Sequence, residues 1–145
     1  MGLIDDAVYH AGRMAGEAKR KRESAERVQT QSTEAHQYVA NLIAAAQNGD
    51  VQSMYVLGCH YSEGKYVVLD FEQAAHWWQQ AAEHGHVWGQ YNLGVLYCGD
   101  LSPYWRDDNL AGHWFACAAR NGLPEAQDAV SEYQLGRFSG KWSKR

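Results

Sequence analysis

Little in this chain punctuates it or crosslinks it. Two prolines, Pro103 and Pro124, stand among 145 residues. Nothing before residue 103 therefore breaks a helix through a missing backbone N–H. Three cysteines, Cys59, Cys98 and Cys117, are an odd and unpatterned set. That argues against a disulfide framework and for reduced thiols in a cytoplasmic setting. No stretch approaches the ~20 apolar residues of a membrane span. Asp5 and Asp6 occupy the start, where a secretory signal would be basic, and no long apolar run follows. Asp6 also stands where a myristoylation motif wants Ser or Thr.

Basic residues are scarce where they would matter for nucleic acid. The net charge of −4 conceals three zones. Residues 1–34 hold six basic and six acidic side chains, and residues 35–135 hold Lys65, Arg106 and Arg120 against eleven acids. Residues 136–145 hold Arg137, Lys141, Lys144 and Arg145 and no acid. A body at −8 lacks the basic face that phosphate binding needs, so no nucleic-acid partner is expected. Signatures of catalysis are also missing: no phosphate loop, dinucleotide fingerprint or serine elbow. Cys59 and His60 are adjacent and cannot face each other on a helix. The His84-x-His86 pair straddles Gly85, a helix end, with no convergent ligand set. No metal, no cofactor and no enzymatic activity are expected.

What is present is a repeat. Leu57-Gly58-Cys59-His60-Tyr61 is followed by Asp70, Ala74, Trp77, Ala81-Ala82 and Gly85. Leu93-Gly94-Val95-Leu96-Tyr97 is followed by Asp107, Ala111, Trp114, Ala118-Ala119 and Gly122. Gly58 and Gly94 lie 36 residues apart, and Trp77 and Trp114 lie 37 apart. A fixed period in this range denotes stacked helical hairpins, each burying its apolar face on its neighbour. The pattern predicts helices at roughly 50–62, 70–84, 86–98, 107–121 and 123–135. Gly49, Gly85 and Gly122 terminate second helices as left-handed caps. Gly58 and Gly94 let backbones approach closely, met by Ala81, Ala82, Ala118 and Ala119 from the facing helix. Trp77, Trp78, Trp114 and Phe115 fill the space between units.

The flanks are less regular. Apolar side chains at Leu3, Ile4, Val8, Ala11, Met14, Ala15 and Ala18 suit a short amphipathic helix, loosely held or used for dimerisation through residues 3–18. Residues 19–34 are polar and charged, compatible with a solvated helix or with disorder. A cap at Ser32 or Thr33 would open a further helix running to Asn48, with Tyr38, Leu42, Ala45 and Ala46 on its apolar side. The division is thus an extension at 1–34, a repeat domain at 35–135 and a basic tail at 136–145. In the tail, Ser139, Gly140 and Ser143 dilute Phe138 and Trp142, which favours mobility over docking on the acidic body.

These motifs resemble the Sel-one-like repeat family, a subclass of tetratricopeptide-like helical repeats. Ala74, Trp77, Trp78, Ala81, Ala82 and Gly85 match its second-helix pattern, as do Ala111, Trp114, Phe115, Ala118, Ala119 and Gly122. Ser53 and Gly89 depart from the expected helix alanine. Val130-Ser131 replaces Leu-Gly in the third unit, which reads as a terminal cap. The resemblance implies an all-α fold, an α/α solenoid of helix hairpins, and a binding scaffold with no catalytic role. It also implies that the first helix of each unit lines a concave face. That face would show Gln52, Tyr55, Cys59 and Ser62, then Trp88, Tyr91, Val95 and Cys98, then Glu125, Asp128 and Glu132. Such a groove would be aromatic in the middle and acidic at one end. It suits an adaptor or chaperone-like protein holding a partner protein segment with a basic end. Two alternatives stand beside this: a structural protein dimerising through its N-terminal helix, and a bacterial immunity protein or inhibitor of a toxin or secreted effector.

Overall fold

The computed structural model describes residues 2–134, and side chains over 12–132. The tail assigned to 136–145 lies outside the described residues. The protein is 81% helical, with six α-helices and no strand among the described residues. They are α1 (Gly2–Gln47), α2 (Val51–Glu63), α3 (Phe71–Glu83), α4 (Val87–Tyr97), α5 (Asp108–Arg120) and α6 (Pro124–Gln134). A short 3-10 turn, Pro103–Trp105, interrupts the loop between α4 and α5.

The chain divides into two units after Tyr38. In the first, the helix runs through residues 32–33, where the sequence suggests a fresh N-cap. Thr33 Oγ1 instead donates back to the Gln29 carbonyl at 2.9 Å, as a mid-helix threonine does. No Gly or Pro interrupts residues 17–47. Ion pairs one turn apart, Arg13–Glu17, Lys19–Glu23 and Arg22–Glu26, line the exposed surface. Each contributes only tenths of a kcal/mol, but they agree with the helical propensity of the segment. Met14 is 70% exposed and Val28 66% exposed.

The second unit is a stack in which each helix packs on the next, α2 on α3, α3 on α4, α4 on α5 and α5 on α6. Side-chain caps start four of these helices, α2 to α5. The Asp70 carboxylate accepts from the backbone N–H groups of Glu72 and Gln73, at 2.9 and 3.0 Å. Its repeat equivalent Asp107 accepts from Asn109 and Leu110, both at 3.0 Å. These bonds satisfy donors that a helix start leaves orphaned. Asp50 caps α2 through Ser53 N–H at 2.8 Å, and His86 Nδ1 caps α4 through Gly89 N–H at 3.1 Å. Chain reversals follow at Gly49, Gly85 and Gly122, with φ of 93°, 83° and 91°.

The glycines of the repeat meet different partners from those expected. A Cβ on Gly58 would stand 2.3 Å from Cδ1 of Trp78, and one on Gly94 would stand 2.6 Å from Cδ1 of Phe115. The opposing group is an aromatic ring, not an alanine. Ala81 faces Gly89, where a Cβ would lie 3.2 Å from its own. Trp78 and Phe115 are fully or almost fully buried, together with Leu57, Leu93, Leu96, Ala74, Ala81, Ala111 and Ala118. Trp77 and Trp114 are half-buried and pack against the cores from the side. Tyr61 and Tyr97 do likewise.

Candidate functional site

The first helices of consecutive units, α2 and α4, together line a cleft of about 380 Å³. Tyr55, Cys59, Ser62 and Glu63 come from α2, Trp88, Asn92 and Val95 from α4. Trp78 from α3 forms the floor, and Leu101 from the loop after α4 closes one side. The period-4 steps 55–59–63 and 88–92, with Val95 at the next step of three, place these side chains on one stripe of each helix.

Contacts between the two helices hold the walls in place. The Tyr55 ring stacks on the His86 imidazole with centroids 4.4 Å apart. His86 Nε2 meets Gln52 Oε1 at 3.2 Å. Asn92 Nδ2 donates to the Cys59 sulfur at 3.8 Å. Trp88 is 43% exposed at the rim and meets the Tyr91 ring edge to face at 5.7 Å.

The cleft is electrically quiet inside and acidic at its edge. Burial, reinforced by the neighbouring Cys59, pushes the Tyr55 hydroxyl up to about 12. Burial also raises the Cys59 thiol and lowers the His86 imidazole. All three are therefore neutral at pH 7. Glu63 is the one formally charged side chain in the lining and forms no ion pair with any described cation. The arrangement can desolvate an apolar side chain and attract a cation beside it.

Of the residues that the sequence placed on this face, Tyr55, Cys59, Ser62, Trp88 and Val95 come together in the cleft. The others do not. Tyr91 is half-buried and leans on Phe115 at 5.5 Å, so it belongs to the core between α4, α5 and α6. Gln52 stays outside the lining and serves to position His86. Cys98 is buried, its thiol donating to the Val95 carbonyl at 3.0 Å. Glu125 and Asp128 are exposed on α6 and Glu132 is half-buried there, all outside the cleft.

Four lining residues escaped sequence reasoning: Glu63, Trp78, Asn92 and Leu101. Glu63 and Asn92 were recoverable by continuing the helical stripe one step. Leu101 was not, because its loop has no period. That loop and its repeat equivalent after α2 also expose Val68, Leu69, Tyr66 and Tyr104, the last at 99%.

Comparison with known proteins agrees with this geometry. The Sel1 repeat model matches residues 51–86 and 89–123. A crystal structure of a protective antigen of uropathogenic Escherichia coli strains, displaying an SLR fold, is similar at a TM-score of 0.61 and 32% identity. That match covers 70% of this chain and 22% of the antigen. A Sel1 repeat protein from Oxalobacter formigenes is similar at a TM-score of 0.61 and 28% identity, over 75% of this chain and 44% of that one. The chain thus spans less than half the length of either relative. With two matched units, and Gly58 and Gly94 each set against a buried aromatic ring, this chain belongs to the Sel1 repeat family.

Proposed function

We propose that this protein is a non-catalytic adaptor or chaperone-like scaffold that holds a segment of a partner protein in the cleft between α2 and α4. Sel1 repeat proteins are in general protein–protein interaction scaffolds. The observation that carries the reading is the cleft itself: about 380 Å³, with Tyr55 and Trp88 as aromatic walls and Trp78, Val95 and Leu101 as apolar surface. Its volume is at the low end for ligand sites, which suits one or two inserted side chains. Exposed aromatic anchors beside a desolvated pocket are the usual seat of binding energy at interfaces. Three free thiols support a reducing, cytoplasmic setting.

The test is a Tyr55→Ala, Trp88→Ala chain. Partners of the wild type are identified by crosslinking and mass spectrometry, and affinity is then measured for each chain. Loss of a central aromatic anchor typically costs ~2 kcal/mol or more, so binding should weaken at least thirtyfold by that estimate while circular dichroism keeps its helical signal. Unchanged affinity with intact helices refutes the cleft as the binding face.

A second reading has an observation of its own. Residues 3–18 would form the self-association helix, and Met14 within them is 70% exposed. Light scattering coupled to size exclusion decides it, since a monomer at every concentration removes the reading.

A further inference from the structure

The cleft asks for an apolar, preferably aromatic side chain next to a cation: its walls are Tyr55 and Trp88, and its one formal charge, Glu63, forms no ion pair with a described cation. This chain carries a segment of that composition. Residues 135–145, outside the described structure, place Trp142 between Lys141 and Lys144, with Phe138 and Arg137 upstream. Their charge of +4 faces a body of −8 over residues 35–135. We propose that this segment occupies the cleft of its own molecule, with Trp142 seated between Tyr55 and Trp88 and Lys141 or Lys144 beside Glu63, so that a partner must displace it. The inference rests on the cleft being a binding site and adds a regulator to it.

Reach permits the contact. The structure follows the chain to Gln134 at the end of α6, the first helix of the third unit. Packed helix pairs lie 8–10 Å apart, and α6 meets α4 through α5, so the α4 wall of the cleft lies up to roughly 16–20 Å from α6. Trp142 follows Gln134 by eight residues, an extended span of about 26–29 Å. Phe138 follows by four, about 13–14 Å, which is short of the cleft.

A weak segment suffices when it is tethered. A short flexible linker supplies an effective concentration of about 1 mM. Against an intrinsic Kd of ~100 µM, that fills the cleft about nine-tenths of the time and weakens any competitor about tenfold.

The experiment uses the full chain, labelled with 15N, and follows the indole N–H signals of its six tryptophans. Trp88 is assigned from a Trp88→Phe chain. In Trp142→Ser, the Trp88 signal should move. A synthetic peptide of residues 135–145 should drive it back toward the wild-type position, while the wild-type signal should barely respond to the same peptide. Glu63→Gln added to Trp142→Ser should raise the peptide Kd at least threefold. A Lys141→Glu, Lys144→Glu chain, which keeps the indole, should shift Trp88 in the same direction and guards against a fold lost with Trp142.

If Trp88 keeps its wild-type position in both tail variants, the proposal is wrong. It is also wrong if the wild-type position of Trp88 changes on dilution from 500 to 10 µM, since the occupant is then the tail of a second copy. Failure of the tail leaves partner binding sensitive to Tyr55→Ala, Trp88→Ala and indifferent to Trp142→Ser. Failure of the cleft as partner site leaves the Trp88 shifts in place and partner affinity insensitive to both.

Discussion

Replacing Gly94 by alanine sets two effects of known sign against each other. A glycine in a helix interior costs about 1 kcal/mol relative to alanine, so the substitution would stabilise α4 if space allowed. Space does not allow it. The new Cβ would lie 2.6, 2.7 and 2.9 Å from Cδ1, Cε1 and Cγ of Phe115. Carbon atoms rest at about 3.5–4.0 Å, so the ring must retreat by about 1 Å. Phe115 is fully buried in a cluster with Ala111, Ala129 and Cys98, so its retreat must displace packed neighbours. Overpacking of this kind costs ~1–3 kcal/mol. With the upper half of that range the net loss is about 1–2 kcal/mol. For a repeat body of roughly 100 residues, that lowers Tm by roughly 5–15 °C.

Urea unfolding followed by circular dichroism measures this directly, with the m-value as a check that the two-state reading survives. Two controls isolate the cause. Gly16→Ala, where a Cβ would meet nothing within 4 Å, should leave stability unchanged or improve it. Phe115→Leu, combined with Gly94→Ala, should cost less than the two single changes together, because the smaller side chain relieves the clash. A Gly94→Ala chain as stable as wild type, or an additive double mutant, would refute the argument that ring and backbone compete for one space. Gly94→Leu, with more to place, should lose several kcal/mol or fail to fold.

The other expectations are smaller. Asp70→Ala removes a carboxylate that holds two backbone N–H groups of α3 and should cost about 1 kcal/mol in the same urea assay; no change would mean that water replaces the cap without loss. Burial lowers the pKa of His86, and burial followed by Lys65 lowers that of His60. The folded chain therefore prefers both rings neutral, while the unfolded chain binds their protons near the ordinary value of about 6.5. Stability should be full above that pH and fall as pH drops through it toward 5. His86→Asn keeps an N-cap without a titrating ring and should flatten part of that slope; an identical slope would acquit His86. Burial pushes the Cys98 thiol up to about 11, whereas Cys117 is half-buried beside Arg120. Alkylation of the native chain at pH 8, read by mass spectrometry, should modify Cys117 first and Cys98 last; equal rates would show that α4 and its loop open readily.

How much of this was legible beforehand depends on the kind of constraint. Helices, their order and most of their ends could be read because each is set by nearby residues: Asp70 and Asp107 start helices, and Gly49, Gly85 and Gly122 end them. The doubled Leu-Gly and Ala-x-x-Trp motifs carried the stacking as well, since a repeat must match its neighbour to bury its face. The apparent break at residues 32–33 misled because Ser and Thr cap helices or sit within them, and only the continuing backbone distinguishes the two.

Tertiary packing alone decided which aromatic belongs to the core and which to the surface. Trp88 and Tyr91 are three residues apart and share one side of α4 in any helical projection. Yet Tyr91 leans toward Phe115 and α6, while Trp88 turns to Tyr55 and α2. A helix with neighbours on two sides has two inner faces, and a one-dimensional period cannot say which neighbour lies beyond each. The same holds for Gly58 and Gly94. Spacing showed that something must approach them closely. That the visitor is the flat ring of Trp78 or Phe115, rather than the methyl group of an alanine, follows from the register in which α3 and α5 lie across α2 and α4, and no single helix contains that information.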